Sequence, residues 1–203
     1  MSKPLKYCIG LFAMLLQTIL TLNAQDSTFQ TATVEKVLGV PVFIYSEPVN
    51  AYEILGKADK NMEIIQMDMT DYTNADKKAM ETVESTDVRK KTGKIKDYDA
   101  IIVDIGQFKS FAIRFTSEKS LKARVNKVRN IYIFFFSKPD KKYDVIAHLP
   151  AKFPKYEENG LLTDKVNSMI NRSLRKVKSG EINKFDGLIF NPKDFTATAI
   201  KFK

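Results

Sequence analysis

The apolar positions of this chain form two similar series, and each series predicts strands on both sides of one helix. In the first series, residues 34–45 and 52–56 are rich in β-branched and aromatic side chains, which favour strands. In the second series, residues 131–136 and 143–147 have the same character. A proline-containing segment separates the two members of each pair, so each pair is predicted to form a hairpin.

Helical spacing follows each of these pairs. In the second series, one helix face collects the apolar residues Val166, Met169, Ile170, Leu174 and Val177. Gly180 stands where a helix ends in the left-handed conformation, and Gly93 has the same place after a first helix predicted over residues 74–92. Alignment on the two glycines sets Asp87 opposite Leu174. Either the register slips by one residue, so that Val88 takes the core position, or the first helix packs less deeply.

Two further strands complete each series. Residues 98–104 and 108–115 flank a glycine-containing turn, and residues 185–190 and 196–202 flank a turn with asparagine and proline. These turn residues are typical of hairpins. Each series is therefore predicted to end in a second hairpin.

The two series also repeat in sequence. The segment KVLGVPVFIYSEP at residues 36–48 recurs without a gap as KVRNIYIFFFSKP at residues 127–139, and YDAII at 98–102 matches FDGLI at 185–189. Such repeats indicate a repeated structural unit. We predict an α+β fold that is a tandem repeat of two β-β-α-β-β units with antiparallel hairpins and one helix each. One unit is small for independent stability, so the two are expected to pack as a pseudo-dimer.

The predicted organisation has four parts: a signal peptide at residues 1–24, the first repeat at 25–116, a polar linker at 117–126 and the second repeat at 127–203. Lys3 and Lys6 precede an apolar run that ends near Ala24, which is typical of a cleaved secretory signal. An uncleaved N-terminal anchor is the alternative. We expect export to the periplasm or the cell exterior.

Composition narrows the chemistry of the mature chain. The single cysteine lies in the predicted signal peptide, so residues 25–203 have no disulfide, thiolate metal site or cysteine nucleophile. Their net charge is +7, because the signal peptide carries two of the 33 basic and none of the 24 acidic residues. Glycine-rich phosphate loops, nucleophile elbows and zinc-protease motifs are absent from the sequence. We therefore predict that the protein is not an enzyme and uses no cofactor. The alternative is a hydrolase that uses Asp99 or Asp186, although their recurrence in both series favours a structural role.

Three residues are candidate metal ligands. Met67 and Met69 lie in an insertion at residues 58–75, which differs in length from the corresponding residues 149–162 and does not align with them, so the two methionines have no counterpart in the second series. Thioethers suit monovalent copper, so a periplasmic small-ligand or copper-type carrier is an alternative function. The competing interpretation is an apolar strand face or patch that packs on the core. His148 is the only histidine, and a surface position at the rim of the fold is favoured over metal binding because no second ligand is visible.

Basic side chains offer a candidate anion-binding surface on the second helix: Arg172, Arg175, Lys176 and Lys178. A solvated helix face is the alternative interpretation. Nucleic acid is not an expected partner, because aromatic residues are not interleaved with this cluster. An anionic envelope surface, an envelope protein and a second copy of the chain are the partners that the sequence leaves open.

Each repeat resembles, in outline, the small bacterial β-β-α-β-β domains labelled heavy-metal-binding-like. The resemblance rests on residues 52–56, on the helix, and on residues 99–102 followed by Ala112 and Ile113. Those domains assemble into rings, so the resemblance implies a tandem pseudo-dimer that assembles further. The label implies metals, for which the mature chain offers no cysteine and one histidine. The predicted function is an exported, non-enzymatic binding or structural module of the bacterial cell envelope.

Overall fold

A computed structural model describes residues 29–58, 75–105, 109–151 and 162–203. Within these ranges the chain has two α-helices and fourteen strands in three sheets, which confirms the predicted α+β class. The first half contains β1 (Thr31–Val34), β2 (Lys36–Val37), β3 (Val40–Ile44), β4 (Ser46–Pro48), β5 (Tyr52–Lys57), α1 (Ala75–Lys91), β6 (Ala100–Asp104) and β7 (Lys109–Phe115). The second half contains β8 (Lys122–Val125), β9 (Lys127–Val128), β10 (Ile131–Phe134), β11 (Ser137–Pro139), β12 (Tyr143–Leu149), α2 (Leu162–Lys178), β13 (Gly187–Phe190) and β14 (Ala197–Phe202). The predicted signal peptide lies outside the described residues.

Two of the sheets have five strands and the same arrangement. The first sheet has the order β2-β3-β6-β7-β5, and the second sheet has the order β9-β10-β13-β14-β12. In each, one interior pair is parallel, β3 with β6 and β10 with β13, and the other pairs are antiparallel. The chain between the two parallel strands contains a helix in both cases, as parallel strands require a long crossover connection.

The third sheet, here the bridging sheet, has four short antiparallel strands in the order β11-β1-β8-β4. Its central pair joins β1 to β8, with Ala32 opposite Ala123. A further isolated antiparallel bridge joins Ile44 to Phe135. Strands from both halves of the chain therefore alternate in one sheet.

The prediction that the first two strands of each series form a hairpin is wrong. Residues 46–48 and 137–139, predicted as turns, are β4 and β11, and both leave their five-stranded sheet to join the bridging sheet. The chain is redirected at Tyr45 and Phe136, whose φ angles of 54° and 50° are uncommon for bulky residues. Strand β5 then pairs with β7, and β12 with β14, at the far edge of each sheet. The second hairpins, β6 with β7 and β13 with β14, are antiparallel as predicted.

Two other boundaries differ from the prediction. Residues 34–45 do not form one strand but are divided among β1, β2 and β3. Residues 122–125, predicted as part of a polar linker, form β8 in the interior of the bridging sheet. The alternation along the strand explains this, because buried Ala123 and Val125 alternate with exposed Lys122 and Arg124.

The structure shows which residues of each helix occupy the core positions. Helix α2 buries Val166, Met169 and Ile170 as predicted, whereas Leu174, predicted on the same face, is 39% exposed. Helix α1 buries a set of smaller residues at the matching positions: Ala75, Ala79, Thr82, Val83 and Thr86. Val88 is 58% exposed, so the register does not slip, and the first helix fills its core positions with less volume. Both helices are followed by a glycine with positive φ, 70° at Gly93 and 75° at Gly180.

The core has one large part and two smaller ones. The large cluster holds the buried faces of both helices and a group of aromatic rings: Phe135, Phe136, Phe190 and Phe195. On the other side, the bridging sheet packs against both five-stranded sheets. Val34 and Ala123 belong to a cluster with Phe43 of the first sheet, whereas Ala32 and Val125 cluster with residues of the second sheet.

Candidate ligand-binding cavity

A cavity of about 440 Å³ opens beside the first sheet, within the size range of small-molecule sites. Along β6, Ile101 and Val103 pack in the cluster that contains the helices, whereas Ile102 packs on the opposite side. The bridging sheet covers only part of that opposite face and ends at its edge strand β4. The cavity lies next to this edge.

Strands β4 to β7 and adjoining residues supply the walls. The apolar lining is Ile54, Ile102, Val103, Ile105, Phe111 and Ile113, and the polar lining is Tyr45, Ser46, Glu47, Tyr52, Asp104 and Asn126. These lining residues include two carboxylates and no lysine, arginine or histidine. An apolar pocket with a few convergent polar groups is the usual form of a small-ligand site.

Two tyrosines are among the lining residues, of which Tyr45 packs its side chain in the cluster that contains the helices. Tyr45 is 6% exposed, and burial raises the pKa of its phenol, to which the negative charge of Asp164 adds. Partial burial raises the pKa of Tyr52, and the nearby negative charge of Glu47 raises it further. Both phenols therefore stay protonated near neutral pH, and each keeps an O–H that can donate a hydrogen bond.

Ser46 is a buried lining residue with hydrogen-bonding capacity to spare. It is 2% exposed, and its hydroxyl lies 3.4 Å from the carbonyl oxygen of Ile44. Good O–H···O bonds are about 2.5–3.0 Å long, so this contact satisfies the hydroxyl weakly. Ser137, at the matching position of the second series, is also buried, and its hydroxyl has no hydrogen-bond partner within the described residues. The weak contact of this serine is therefore common to both halves of the chain.

The corresponding surface of the second sheet carries different side chains. Alignment of the two series places Lys138 at the position of Glu47, Asn191 at that of Asp104 and Thr198 at that of Phe111. Lys138 forms an ion pair with Glu35 at 3.0 Å. The two carboxylates and the ring of Phe111 are therefore confined to the first series, whereas Tyr143 matches Tyr52.

The candidate metal ligands are not brought together within the described residues. Met67 and Met69 lie outside them. His148 is exposed on β12, an edge strand of the second sheet, and its Nδ1 lies 3.2 Å from the hydroxyl of Thr198. In the part of the chain that the structure describes, no three His, Cys, Asp or Glu side chains are grouped to hold a metal ion.

The four basic residues of α2 do not point to one place. Arg172 donates to the carbonyl oxygen of Pro150 and lies 3.0 Å from the sulfur of Met169. Lys176 forms an ion pair with Glu181. Arg175 and Lys178 are exposed, and Arg175 is three residues from Arg172, so helical spacing makes these two neighbours.

The recurrent aspartates have structural contacts, as their recurrence suggested. Asp99 accepts a hydrogen bond from the backbone N–H of Phe115 at 3.0 Å, and Asp186 accepts one from Phe202 at 2.9 Å. Each carboxylate thus fixes the end of the last strand of its five-stranded sheet. Lys119 adds an ion pair to Asp99 at 2.7 Å.

The cavity was missed in the sequence because its lining comes from separate strands, none of which carries a recognisable motif. One signal was present. The two series differ in charge at Glu47 and Lys138 and in size at Phe111 and Thr198, although the segments around these positions are alike. Such differences within otherwise similar segments indicate positions at which the shared fold does not require a particular side chain.

Comparisons of the chain with protein-family models, with curated proteins and with solved structures found no match. Neither of the helices in the described ranges is long and apolar enough to cross a membrane. The functional argument therefore depends on the geometry of the cavity.

Proposed function

We propose that the chain is an exported, non-enzymatic binding module of the bacterial cell envelope, built as a tandem pseudo-dimer of two β-β-α-β-β units. One unit provides the ligand cavity and the other supports it. The observation that carries this proposal is the cavity of about 440 Å³, which is lined by Glu47, Asp104 and Phe111. The second series has Lys138, Asn191 and Thr198 at these three positions. The lysine-flanked apolar segment that ends near Ala24 supports export.

Reciprocal contacts support the pseudo-dimer. Ala32 and Ala123 occupy the same place in their respective series, and they are directly opposite in the bridging sheet. The isolated bridge between Ile44 and Phe135 also joins two matching positions. A two-fold axis produces such self-matching contacts in symmetric dimers.

Backbone hydrogen bonds repeat the same reciprocity. The N–H of Asn126 donates to the carbonyl of Tyr45 at 2.8 Å, and the N–H of Glu35 donates to the carbonyl of Phe136 at 2.7 Å. Glu35 and Asn126 are matching positions, as are Tyr45 and Phe136. Each bond therefore joins one half to Tyr45 or Phe136 of the other half, the residue after which the chain passes from its five-stranded sheet to the bridging sheet.

The outer edge strands favour ligand binding over assembly through strand addition. Strand β5 has a register irregularity between Ile54 and Gly56, and β12 has one between Val145 and Ala147. Irregular edges of this kind discourage pairing with another chain. A second copy or an envelope protein therefore remains a partner to test rather than the basis of the proposal.

Native mass spectrometry of residues 25–203, recovered from the envelope of the producing cells, tests the function. We expect a mass excess that corresponds to a bound small molecule. An Ile54→Trp variant should lose this excess, because the larger side chain fills part of the cavity that Ile54 lines. The fold should tolerate the substitution, since Ile54 is 59% exposed.

Val145→Trp is the matched control, since Val145 holds the same place on β12 and is 53% exposed. The control should keep the mass excess. A chain mass without any excess, or an excess that survives Ile54→Trp, would contradict binding at this cavity.

A further inference from the structure

We propose that the cavity beside β4 binds a neutral small molecule with a largely apolar body and one polar group. This inference rests on the proposed function and adds the chemical class of the ligand. Two observations carry it: an apolar patch on the open face of the first sheet, and basic residues that lie opposite both carboxylates of the lining.

The open face of the first sheet presents an apolar patch to the cavity. Ile54 lies opposite Ile113 on β7, and Ile102 lies opposite Phe111 on the same strand. Ile102 and Ile113 pack on the side of the bridging sheet, as does Tyr52. Ile54 is two residues from Tyr52, and Phe111 is two residues from Ile113, so strand alternation places them on this side as well. The four apolar side chains are therefore neighbours on one face, and all of them line the cavity.

Part of this patch is in contact with solvent. Ile54 is 59% exposed, and Ile102 and Phe111 are half-buried. Covering apolar surface of this kind with an apolar ligand releases the water next to it, which favours binding. The second series has Thr198 at the position of Phe111, so a hydroxyl-bearing side chain replaces the aromatic ring on the matching face.

Both carboxylates of the lining lie opposite basic residues in the sheets. Glu47 is opposite Arg124 in the pairing of β4 with β8, and Asp104 is opposite Lys109 in the pairing of β6 with β7. Opposite charges at such cross-strand positions attract each other, so the charge of each carboxylate is balanced by its neighbour. The lining residues include no basic side chain that could pair with an anion. A charged ligand would therefore lose hydration in the cavity without gaining a free counter-charge, whereas a neutral ligand avoids this cost.

Two neutral polar side chains of the lining suit the single polar group of such a ligand. Tyr52 is half-buried and carries a phenol O–H that can donate a hydrogen bond. Asn126 is exposed, and its carboxamide can both donate and accept. A hydroxyl or carbonyl oxygen on the ligand could accept from either residue. These bonds would orient the ligand, while the apolar patch supplies most of the contact surface.

Nuclear magnetic resonance titrations of isotope-labelled residues 25–203 test the inference with two series of probes. The aromatic series is 4-ethylphenol, tyramine and 4-hydroxyphenylacetate, and the aliphatic series is 1-octanol, octylamine and octanoate. Each series keeps a similar apolar body and changes the charge from neutral to positive to negative. At least one neutral probe should bind with a dissociation constant in the millimolar range or below, and at least about tenfold more tightly than both of its charged counterparts.

Substitutions separate the effect of apolar surface from the effect of charge. Phe111→Thr should weaken binding of the neutral probe about tenfold or more, because it removes the aromatic ring from the lining. The fold should tolerate this change, since Thr198 holds the matching position in the second series. Val145→Thr is the control, because it removes apolar surface from a residue of the second sheet that is 53% exposed. Both this control and Glu47→Gln, which removes a charge but keeps the size of the side chain, should bind the neutral probe as the unaltered chain does.

The outcomes distinguish the ligand class from the function. A charged probe that binds as tightly as its neutral counterpart overturns the inference, and so does failure of both neutral probes. Neutral binding that survives Phe111→Thr, or that Glu47→Gln weakens equally, also overturns it. If Phe111→Thr does not fold, the comparison of probes on the unaltered chain still decides. The mass excess in native mass spectrometry and its loss in Ile54→Trp decide the proposed function separately, whatever the charge of the bound molecule.

Discussion

Truncation of Phe135 to alanine should destabilise the protein strongly, because this ring lies where both halves of the chain meet. Phe135 is fully buried, and its ring centroid lies 5.4 Å from that of Phe136, 5.7 Å from Phe190 and 5.8 Å from Phe195. Its backbone forms the isolated bridge to Ile44. Removal of the ring therefore leaves a void among aromatic rings of the second half, which the surrounding β-structure can close only in part.

The expected cost is about 3–5 kcal/mol, as for other fully buried Phe→Ala substitutions. That is a large share of the roughly 5–15 kcal/mol that stabilises a typical domain. For a chain of this size it corresponds to a fall of about 6–20 °C in melting temperature. The substitution should leave the sheet pairing unchanged, because the bridge to Ile44 uses only backbone atoms.

Urea unfolding followed by far-ultraviolet circular dichroism measures this change, since the chain has no tryptophan to report by fluorescence. The control is Phe29→Ala, whose ring is 44% exposed and contacts the guanidinium of Arg124 at 5.0 Å. It should cost less than about 1 kcal/mol. If Phe135→Ala cost no more than the control, the shared aromatic core described here would be wrong.

Three further perturbations test other parts of the fold. Deletion from Ala199 onward should unfold the second half, because β14 lies between β12 and β13 in the second sheet. Limited proteolysis would detect the unfolding, and an unchanged melting temperature would contradict the prediction. Asp186→Ala should cost about 1–3 kcal/mol by leaving the backbone N–H of Phe202 without its acceptor, whereas exposed Asp144→Ala should change thermal stability by less than about 1 kcal/mol. Burial alone would raise the pKa of Asp140, but hydrogen bonds from Lys122 and Thr33 outweigh it and lower the folded-state pKa below 3.8. The ionised Asp140 therefore stabilises the folded state above the ordinary carboxyl pKa, and this stabilisation is lost as pH falls through the folded-state pKa. Asp140→Asn should make the free energy of unfolding less dependent on pH in the acid range.

Local signals predicted the elements whose conformation is decided locally. Helix α2 ends just before Gly180, as the sequence indicated, and α1 ends just before Gly93 in the same way. The hairpin of β6 and β7 was also found, because consecutive antiparallel strands most simply pair with each other. These features need no knowledge of the rest of the chain.

The first hairpins failed because distant pairing overrides the local pattern. Nothing in the chemistry of Tyr45 or Phe136 favours a positive φ, and the conformation persists only because the strands that follow join the bridging sheet. A signal for that sheet was present but short. The spacing Ala-x-Val at residues 32–34 recurs at residues 123–125, immediately before the longer repeated segment.

The two series differ in a way that separates scaffold from site. Positions that hold the sheets together are alike in both halves, as Phe43 and Phe134 are in the clusters beneath the bridging sheet, and as Asp99 and Asp186 are at the last strands. At the cavity three lining positions differ, because Glu47, Asp104 and Phe111 are matched by Lys138, Asn191 and Thr198. The bridging sheet takes two strands from each half of the chain, so both halves are needed to complete it. That requirement acts on the strands of the bridging sheet and leaves the side chains at these three positions free to differ.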